Sequence, residues 1–493
     1  MNSSLDLLEQ SEQWEADLKE DEEALQRAEC LTALLQEERD GTSPIEHTHM
    51  GLAQLALQLF PGEILYVPGF GECAYHEGRY DLGPTGPWRF KRRIVRAARS
   101  ILWTATRTEN RQEQSELIKW GRAAQADHYI NGAAGILRTD PKVLTSVDQL
   151  DTDPDLLNTP AGTFNLETGE RHDHRQLDLL TKISPISPDP TARPTRWLKT
   201  LRFAFDGDEE KIGCFHRLMG YAASGHTSEN LITTLYGTGA NSKTTVTNVI
   251  QRVLGNDYAM TAAPGLLLKR PRDTHLTSIA DLFGKRLVLS YEMEGAQRLD
   301  EQLLKSVTGG DRIRARKMRQ DAFEFDPSHT PLLIVNHKPE LRGTDHGLWR
   351  RILIFPFTVT VPEEDRIKGF ADILLEEEGG AILQWLIDGA AAWYERGVDP
   401  PDSLRAATQA YRDESDVLGG FIEERCVELS QAKAAAGFLY KAYQAWAAEN
   451  GESAISAKAF GMRLKERGFR QKRTPSTRYW LGLGLQADGE HDA

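Results

Sequence analysis

The chain has 493 residues, which predicts three or four domains at the usual size of about 100–200 residues each. Its apolar content of 40% is ordinary for a globular protein, and no apolar run approaches the ~20 residues of a membrane span. The four cysteines lie far apart without a Cys-x-x-Cys pair, which fits a reducing cytoplasm and argues against a zinc module. The acidic N-terminus shows no signal peptide, so we expect a cytoplasmic protein that does not bind membranes.

The net charge of −14 is distributed unevenly along the chain. Residues 1–46 contain fourteen acidic and three basic side chains, whereas residues 431–485 contain three acidic and ten basic ones. The acidic total therefore does not exclude DNA as a partner, because local basic patches decide that question.

The first 200 residues predict an acidic segment followed by a mixed α/β domain. Residues 1–46 have leucines at helical spacing among carboxylates, which indicates a solvated helix or a partner-binding tail. Helices are predicted at 49–60 and 90–103, and a strand at 64–67. The second helix could contact DNA, and the alternative is an ordinary solvated face. Its cationic residues are Lys91, Arg92, Arg93, Arg96 and Arg99.

Two groups of side chains in this region have the composition of metal sites. The sequence DTDPD at 151–155 contains three aspartates, but a proline interrupts it and no strand precedes it, so we predict a turn. Two histidine pairs have no cysteine nearby, and we expect surface histidines rather than ligands. The residues concerned are Asp151, Asp153, Asp155, His47, His49, His172 and His174.

Residues 231–255 predict a phosphate-binding loop between a strand and a helix. Residues 231–236 (LITTLY) predict a short buried strand, a glycine-rich turn follows, and apolar residues then recur at the spacing of a helix face. In such a loop Lys243 would reach the β- and γ-phosphates of ATP, and Thr244 would bind Mg²⁺. The alternative is a strand–helix turn that binds nothing. The predicted ATP-binding residues are Gly237, Thr238, Gly239, Ala240, Asn241, Ser242, Lys243, Thr244 and Thr245.

Ser242 departs from the motif G-x-x-x-x-G-K-[ST], because it occupies the position of the second glycine. A Cβ atom crowds this tight turn, although serine is the smallest polar side chain. We expect nucleotide affinity to be the property that this departure changes.

Three further apolar segments, 287–291, 332–335 and 352–355, have the length and composition of parallel strands covered on both faces. Nucleotides bind at the carboxyl ends of such strands, so neighbouring polar groups are candidates for the site. The flanking polar residues are Glu292, Glu294, Asn336, Arg350 and Arg351.

A basic hairpin is predicted between residues 313 and 325, where two alternating segments surround a polar turn. A cationic loop of this kind can hold DNA phosphates without reading sequence. The alternative is a surface hairpin whose charges only aid solubility. The predicted DNA-binding residues are Arg312, Arg314, Arg316, Lys317 and Arg319.

The C-terminal region from Gly437 predicts helix 438–449, a helix at 457–467 capped by Ser456, and strands 469–473 and 479–485. This order resembles a winged helix, in which the second helix meets a DNA groove and the wing contacts phosphates. A protein-docking winged helix is the alternative. The predicted DNA-binding residues are Lys458, Arg463, Lys465, Arg467, Lys472, Arg473 and Arg478.

Four motifs follow one another in a characteristic order: GTGANSKTT (237–245), SYEMEGAQRLDEQLLKSVTGGD (290–311), VNHKP (335–339) and RGTDHGLWRRILIFPF (342–357). The chain resembles the phage and plasmid primase-helicases, the poxvirus-type branch of the superfamily 3 helicases among AAA+ ATPases. Residues 156–170 and 215–226 are similar to the region that precedes the ATPase in this family. The resemblance extends from about Leu52 to Phe357.

The resemblance implies a role for each flanking polar residue. Glu292 would bind the metal ion as the Walker B carboxylate, and Glu294 would activate the attacking water, although this pair could be reversed. Asn336 would orient that water. Arg350 or Arg351 would reach ATP bound by a neighbouring subunit, and the alternative is an ion pair with Asp345 or another carboxylate in the same subunit. The basic hairpin would point into the pore of a ring.

The predicted fold is α/β: an AAA+ P-loop core with a parallel sheet, preceded by a mixed α/β domain and followed by a winged-helix-like domain. The expected function is an ATP- and Mg²⁺-dependent DNA helicase of phage or plasmid replication, acting as a homohexameric ring in a bacterial host cytoplasm. Single-stranded DNA would occupy the pore and duplex or origin DNA the C-terminal domain. No primase site is visible, so a separate primase would supply primers. The alternative is a DNA-binding initiator or loading scaffold that uses nucleotide as a switch. The predicted domains are 1–46, 47–200 including a proline-rich linker, 201–360 for the ATPase, 361–430 as a helical extension, 431–485 and a tail at 486–493.

Overall fold

The computed structural model describes residues 45–106, 108–268, 276–291, 299–316, 322–339, 346–450, 454–475 and 477–486. Nearly all of the acidic segment predicted at 1–46 lies outside these residues. The chain forms two compact units, Met1–Pro188 and Asp189–Ala493. Among the described residues, no helix has both the length and the apolar character needed to cross a bilayer.

The described part of unit 1 combines a helical cluster with two small antiparallel sheets, in the orders β1-β2-β3 and β4-β5-β6. The predicted strand at 64–67 is confirmed, and the two predicted helices are observed with slightly different ends. The elements are α1 (His49–Leu59), β1 (Ile64–Val67), β2 (Gly71–His76), β3 (Arg79–Tyr80), α2 (Gly86–Ala105), α3 (Arg111–Ala124), α4 (Asp127–Leu137), β4 (Leu156–Thr159), β5 (Gly162–Asn165) and β6 (Arg171–His172).

Helix α2 forms the centre of the helical core of unit 1. Apolar residues such as Phe90, Ile94 and Ile101 recur every three or four positions and are almost completely buried. The same side of the helix carries Arg93 and Arg96, which are only 6% and 5% exposed. Two of the five cations of this predicted basic helix are therefore part of the interior.

Arg93, one of the two buried arginines of α2, is paired within the fold. Arg93 Nε lies 2.7 Å from Glu63 Oε2, and both side chains are 8% exposed. Arg93 also donates a hydrogen bond of 3.1 Å to the carbonyl oxygen of Tyr75. Because a buried charge needs a partner, these contacts fix α2 against β2 and the residue preceding β1.

The aspartate cluster at 151–155 forms a turn, as the sequence predicted. Asp151 adopts a φ of +51°, and its carboxylate accepts hydrogen bonds of 2.8 Å from the Thr181 N–H and from Lys182 Nζ. Burial acts to raise the pKa of Asp151, but Lys182 and the Thr181 hydrogen bonds hold that pKa below its ordinary value. Among the described residues, no group of three or more His, Cys, Asp and Glu could hold a metal ion.

Unit 2 is built on a five-stranded parallel sheet in the order β13-β7-β12-β9-β8. All three strands predicted beside the phosphate-binding loop are observed in it, as the α/β fold class required. The strands are β7 (Ile232–Tyr236), β8 (Ala259–Thr261), β9 (Leu287–Tyr291), β12 (Thr330–Val335) and β13 (Ile352–Pro356). Their central residues are buried because helices cover the sheet.

The helices of unit 2 precede, connect and follow these strands. They are α5 (Thr195–Ala204), α6 (Glu209–Ala223), α7 (Lys243–Tyr258), α8 (Leu276–Ala280), α9 (Glu301–Thr308), α10 (His346–Trp349), α11 (Phe370–Arg396) and α12 (Asp402–Glu414). Helix α11 packs against α6 and α7. The approach to α6 is close, because a Cβ atom on Gly220 would lie 2.0 Å from the backbone nitrogen of Ala390.

The C-terminal part of unit 2 has its own core of buried aromatic and aliphatic residues. Its elements are α13 (Val417–Arg425), β14 (Cys426–Val427), β15 (Lys433–Ala435), α14 (Ala436–Glu449), α15 (Ala457–Glu466), β16 (Arg470–Arg473), β17 (Arg478–Leu481) and β18 (Gly484–Leu485). Phe421 of α13 packs in the same core as Trp446, Phe460 and Trp480, so this core includes residues before position 431.

Candidate functional site

The loop between β7 and α7 leaves the carboxyl edge of the parallel sheet. Ala240 and Ser242 both adopt left-handed backbone conformations, with φ of +60° and +66°. This region disfavours residues with a Cβ atom, so the serine at the motif's second glycine position carries backbone strain. Ser242 is also the N-cap residue of α7, and its side chain makes no hydrogen bond to the helix. The backbone N–H groups of the first helical turn are therefore open to other acceptors.

The loop contains two glycines, and Gly237 is the one at which the fold leaves no room for a side chain. A Cβ atom there would lie 2.1 Å from the carbonyl oxygen of Phe357 and 2.5 Å from Nδ2 of Asn241. At Gly239, by contrast, a Cβ atom would meet nothing within 4 Å. The loop therefore needs its first glycine for packing against the segment after β13.

Lys243 is buried at the start of α7, with 3% of its surface exposed. Its Nζ donates hydrogen bonds of 2.5 Å to the carbonyl oxygen of Gly237 and 2.9 Å to Oδ1 of Asn241. Asn241 is held in turn by a 3.0 Å hydrogen bond from its Nδ2 to the carbonyl oxygen of Phe357. Burial lowers the pKa of Lys243 to about 8. An anionic ligand at the loop would favour the charged form of this amine.

The next residues of α7 differ in exposure. Thr244 is exposed and Thr245 is half-buried, so the Thr244 hydroxyl is available to a ligand at the helix start. Thr247 is buried and lies 3.1 Å from the Tyr291 hydroxyl at the end of β9, which itself donates to Oδ1 of Asn248. This hydroxyl pair joins α7 to the neighbouring strand, and the sequence pattern gave no sign of it.

The register of the sheet brings the predicted catalytic segments to one edge. Tyr236 pairs with Val335, and Ile334 pairs with Tyr291, so the residues after these three strands leave the sheet together. Asn336 directly follows β12 and is exposed. Glu292 and Glu294, which follow β9 in the sequence, lie outside the described residues. Of the three predicted catalytic residues Glu292, Glu294 and Asn336, the structure thus describes Asn336.

Lys338 is a further cation at this edge that sequence reasoning missed. Its Nζ lies 5.3 Å from the ring centre of Tyr236 and 2.6 Å from Oε2 of Glu414. The hydroxyl of Tyr411 donates to the carbonyl oxygen of Pro339. Helix α12, which contains Tyr411 and Glu414, therefore holds the segment after Asn336.

Arg350 and Arg351 lie at the amino edge of the sheet, just before β13. Arg350 is exposed, whereas Arg351 is half-buried and donates to Oγ1 of Thr308 at 2.9 Å and to Oδ1 of Asn230 at 3.3 Å. Strand β7 has five residues, which separates this edge from the phosphate-binding loop by roughly 16 Å. An arginine side chain is shorter than this distance, so neither guanidinium reaches the phosphate-binding loop of the same chain. Asp345, the predicted alternative partner, lies outside the described residues.

The predicted basic hairpin is observed as β10 (Ile313–Arg316) paired with β11 (Ala322–Phe325). Ile313, Ala315 and Phe325 are buried, while Arg314 and Arg316 point to the exposed side. Arg312 lies 3.6 Å from Asp326, so part of its charge is compensated. Lys317 and Arg319, which belong to the connection, lie outside the described residues.

The basic residues of the C-terminal module fall into two groups. Arg467 is partly buried and forms an ion pair with Asp416, which also caps α13 through the Gly419 N–H. This arginine therefore joins α15 to α13 within the module. Arg463 is half-buried. The remaining predicted cations are exposed on α15 and on the β16–β17 pair: Lys458, Lys465, Lys472, Arg473 and Arg478.

Comparison with known families supplies matches to three parts of the chain. Residues 53–206 match the family described as D5 N terminal like, and residues 413–484 match the family described as Poxvirus D5 protein-like. Residues 235–351, which contain the loop, the hairpin and both arginines, match a family of unknown function, DUF5906.

Individual relatives come from large DNA viruses. A protein of Acanthamoeba polyphaga mimivirus named "Putative helicase" is 25% identical over 336 residues, which is 63% of this chain and 34% of the viral protein. An African swine fever virus protein named "Putative primase" is 23% identical over 310 residues, or 58% of this chain and 32% of that protein. The chain thus spans about a third of the length of these relatives.

Among solved structures, the apo structure of the NrS-1 C terminal region is similar with a TM-score of 0.49 and 11% identity, covering 89% of this chain and 100% of that one. The domain matches and the viral relatives agree with the family that the sequence motifs predicted. The matches to D5 N-terminal-like and poxvirus D5 protein-like domains, with viral relatives named putative helicase and putative primase, are consistent with a primase-helicase family of the superfamily 3 type.

Proposed function

We propose that the chain is an ATP-driven DNA helicase motor that works as a ring of identical subunits. The observation that carries this proposal is the buried Lys243 in a glycine-rich loop at the carboxyl edge of a five-stranded parallel sheet. A helicase also needs a sequence-independent grip on DNA, and the exposed cations of a hairpin in the same unit would supply it.

The loop residues would bind the phosphates of ATP in this proposal. The backbone N–H groups at the start of α7 would surround a phosphate, and Lys243 would exchange its contacts with Gly237 and Asn241 for phosphate oxygens. Thr244 has the exposed hydroxyl that suits a Mg²⁺ ligand, with Glu292 as the proposed second ligand. Bound Mg²⁺ would offset the charge of the phosphate groups.

The remaining edge residues would position the attacking water. Asn336 stands beside the loop strand and can donate and accept hydrogen bonds through its amide. Glu294, or Glu292 if the pair is reversed, would take the proton of that water. Phosphoryl transfer depends mainly on positioning and charge compensation, so these few groups are sufficient for the chemistry.

We assign the role of the intersubunit arginine to Arg350. It is exposed, whereas Arg351 uses its guanidinium on Thr308 and Asn230 within its own subunit. Both lie on the opposite edge from their own loop, so only ATP held by a neighbour is within reach. A guanidinium suits this role because it remains charged and can contact two phosphate oxygens.

Mixing two inactive variants tests the shared site. Lys243→Ala should abolish hydrolysis, and Arg350→Ala should lower it by about 10³-fold or more. Mixed rings of the two should regain part of the activity, because some interfaces then pair an intact loop with an intact arginine. Arg351→Ala should instead lower the melting temperature, since Thr308 and Asn230 lose their partner. No recovery in subunits shown to exchange would refute the shared site.

DNA-stimulated hydrolysis tests the motor assignment itself. Replacing Arg314 and Arg316 by Ala should remove stimulation and fork unwinding, while basal hydrolysis stays near the wild-type value. Replacing Lys472 and Arg473 should weaken duplex binding and flatten its salt dependence, because fewer counterions are released. Wild-type stimulation in the hairpin variant would refute the hairpin's role in translocation.

A second candidate function is favoured by the strained Ser242. A DNA-binding initiator or loading scaffold would bind nucleotide as a switch without processive unwinding. Such a protein would bind ATP and DNA but show no fork unwinding and little DNA-stimulated turnover. Measuring hydrolysis and unwinding on the same preparation separates the two functions.

A further inference from the structure

Helix α12 lies along β13, the edge strand of the parallel sheet. The hydroxyl of Thr408 accepts a hydrogen bond of 3.1 Å from the backbone N–H of Ile354 in that strand. An edge strand has backbone groups that no neighbouring strand pairs, and here a helix side chain supplies the acceptor. Helix α12 is therefore fixed to the sheet, and its last turn reaches the segment that follows β12.

Tyr411 in that last turn contacts two segments with different proposed roles. It is 3% exposed, and its hydroxyl donates a hydrogen bond to the carbonyl oxygen of Pro339, three residues after Asn336. Its ring centre lies 5.3 Å from that of Trp349, at an interplanar angle of 72°. Trp349 is 6% exposed and directly precedes Arg350. One buried side chain thus joins the segment after Asn336 to the segment before Arg350.

Lys338 connects the same segment to α12 at a second point. Its Nζ lies 2.6 Å from Oε2 of Glu414 and 5.7 Å from the ring centre of Tyr411. The Glu414 side chain is 59% exposed, so this ion pair contributes little stability by itself. The buried hydroxyl and ring of Tyr411 are therefore the main contacts, because an unpaired buried carbonyl or an empty space beside a ring is costly.

We propose that Tyr411 is a positioning residue for two ATP sites. Its hydroxyl holds the backbone that follows Asn336, the residue proposed to orient the attacking water in the same subunit. Its ring supports Trp349 and thereby Arg350, which is proposed to reach ATP in the neighbouring subunit. The inference rests on the proposed function, and it assigns one side chain a role on both sides of the subunit boundary.

Tyr411→Phe tests the hydroxyl alone, because the variant keeps the ring against Trp349. The kcat of ATP hydrolysis should fall roughly 10- to 100-fold, since a small displacement of a water-orienting group has a large effect on rate. Affinity for a fluorescent ATP analogue should stay within about twofold, because Lys243 and the loop are untouched. Wild-type kcat in Tyr411→Phe would overturn the proposal.

Tyr80→Phe is the matched control for loss of a buried hydroxyl. Tyr80 is 2% exposed, and its hydroxyl likewise donates to a backbone carbonyl oxygen, that of Gly62 in unit 1. This variant should lose stability as Tyr411→Phe does, while its kcat stays within about twofold of wild type. A kcat that falls equally in both variants would overturn the proposal, since loss of stability would then explain both.

Mixed rings separate the two roles. The reference mixture combines Lys243→Ala subunits, which supply the arginine, with Arg350→Ala subunits, which supply the loop. Adding Tyr411→Phe to the Arg350→Ala subunit should lower the recovered hydrolysis about tenfold, whereas adding it to the Lys243→Ala subunit should leave the recovery within about twofold. Trp349→Leu should give the reverse pattern, because it removes support for the arginine, and Trp349→Phe should retain most of the recovery.

The outcomes distinguish this inference from the proposed function. Opposite patterns for Tyr411→Phe and Trp349→Leu would support two positioning roles. Recovery in the reference mixture, with equal losses wherever the two changes are placed, would overturn this inference alone and assign Tyr411 to general packing. No recovery in the reference mixture, in subunits shown to exchange, would refute the shared site and overturn this inference with it.

Discussion

Replacing Gly237 by alanine should damage the loop, and the structure indicates by how much. The added Cβ atom would lie 2.1 Å from the Phe357 carbonyl oxygen, whereas ordinary contacts begin near 3.4 Å. Either the segment after β13 or the loop must move by more than 1 Å. Asn241 would be displaced as well, since its Nδ2 lies 2.5 Å from the same Cβ position. That amide connects Lys243 to the Phe357 carbonyl, so the lysine loses its support.

The expected cost of Gly237→Ala is about 1–3 kcal/mol, the usual range for a side chain forced into a packed site. In a unit of this size that lowers the melting temperature by several degrees. Affinity for a fluorescent ATP analogue should fall at least tenfold, because Lys243 and the loop backbone act together on the phosphates.

Gly239→Ala provides the matched control for stability. It adds the same atom two residues further on, where nothing lies within 4 Å and φ is not positive. Its melting temperature should stay within about 1 °C of wild type. If Gly237→Ala melted and bound the ATP analogue like the wild type, the packing role of this glycine would be refuted.

Three further predictions concern the loop and the interior of unit 2. Because the pKa of Lys243 is about 8 and phosphate favours the charged amine, affinity for the ATP analogue should fall as pH rises from 7 to 9.5; a pH-independent affinity would contradict this reasoning. Ser242→Gly should tighten binding by up to about fivefold with kcat nearly unchanged, since a left-handed residue with a Cβ atom costs ~1 kcal/mol; weaker binding in equilibrium titrations would show that the serine hydroxyl contributes to nucleotide binding. His329 is 2% exposed, and burial lowers its pKa to about 4. On acidification the unfolded chain therefore binds a proton at this histidine before the folded chain does. The free energy of unfolding should fall between about pH 6.5 and pH 4, by about 3 kcal/mol in total. Urea unfolding of His329→Phe should show a smaller loss over this range, and an equal loss in both proteins would assign the pH dependence to other groups.

The amino-acid sequence alone determined the elements whose signals are local. A short strand of apolar and β-branched residues, a glycine turn, and a helix with a regular apolar face predicted the loop, and β7, β9 and the hairpin appear where expected. These patterns survive because hydrophobic periodicity records which face of an element is covered. The order of the motifs likewise predicted a primase-helicase family, with which the viral relatives are consistent.

The tertiary structure decided which charged residues are available for function. The arginines of α2 have the same appearance in the sequence, yet Arg93 and Arg96 are buried in the core while Arg99 is exposed. Adjacent Arg350 and Arg351 differ in the same way, because a single residue step turns one side chain toward Thr308 and leaves the other in solvent.

Contacts between distant parts of the chain were also beyond sequence reasoning. Lys338 meets Glu414 across 76 positions, and Arg467 meets Asp416 across 51. No local period encodes such pairs, because they depend on how complete helices pack after the sheet has formed. The sequence therefore specified the strands, helices and candidate chemistry, and the packing of those elements selected which side chains can meet a ligand and which stabilise the fold.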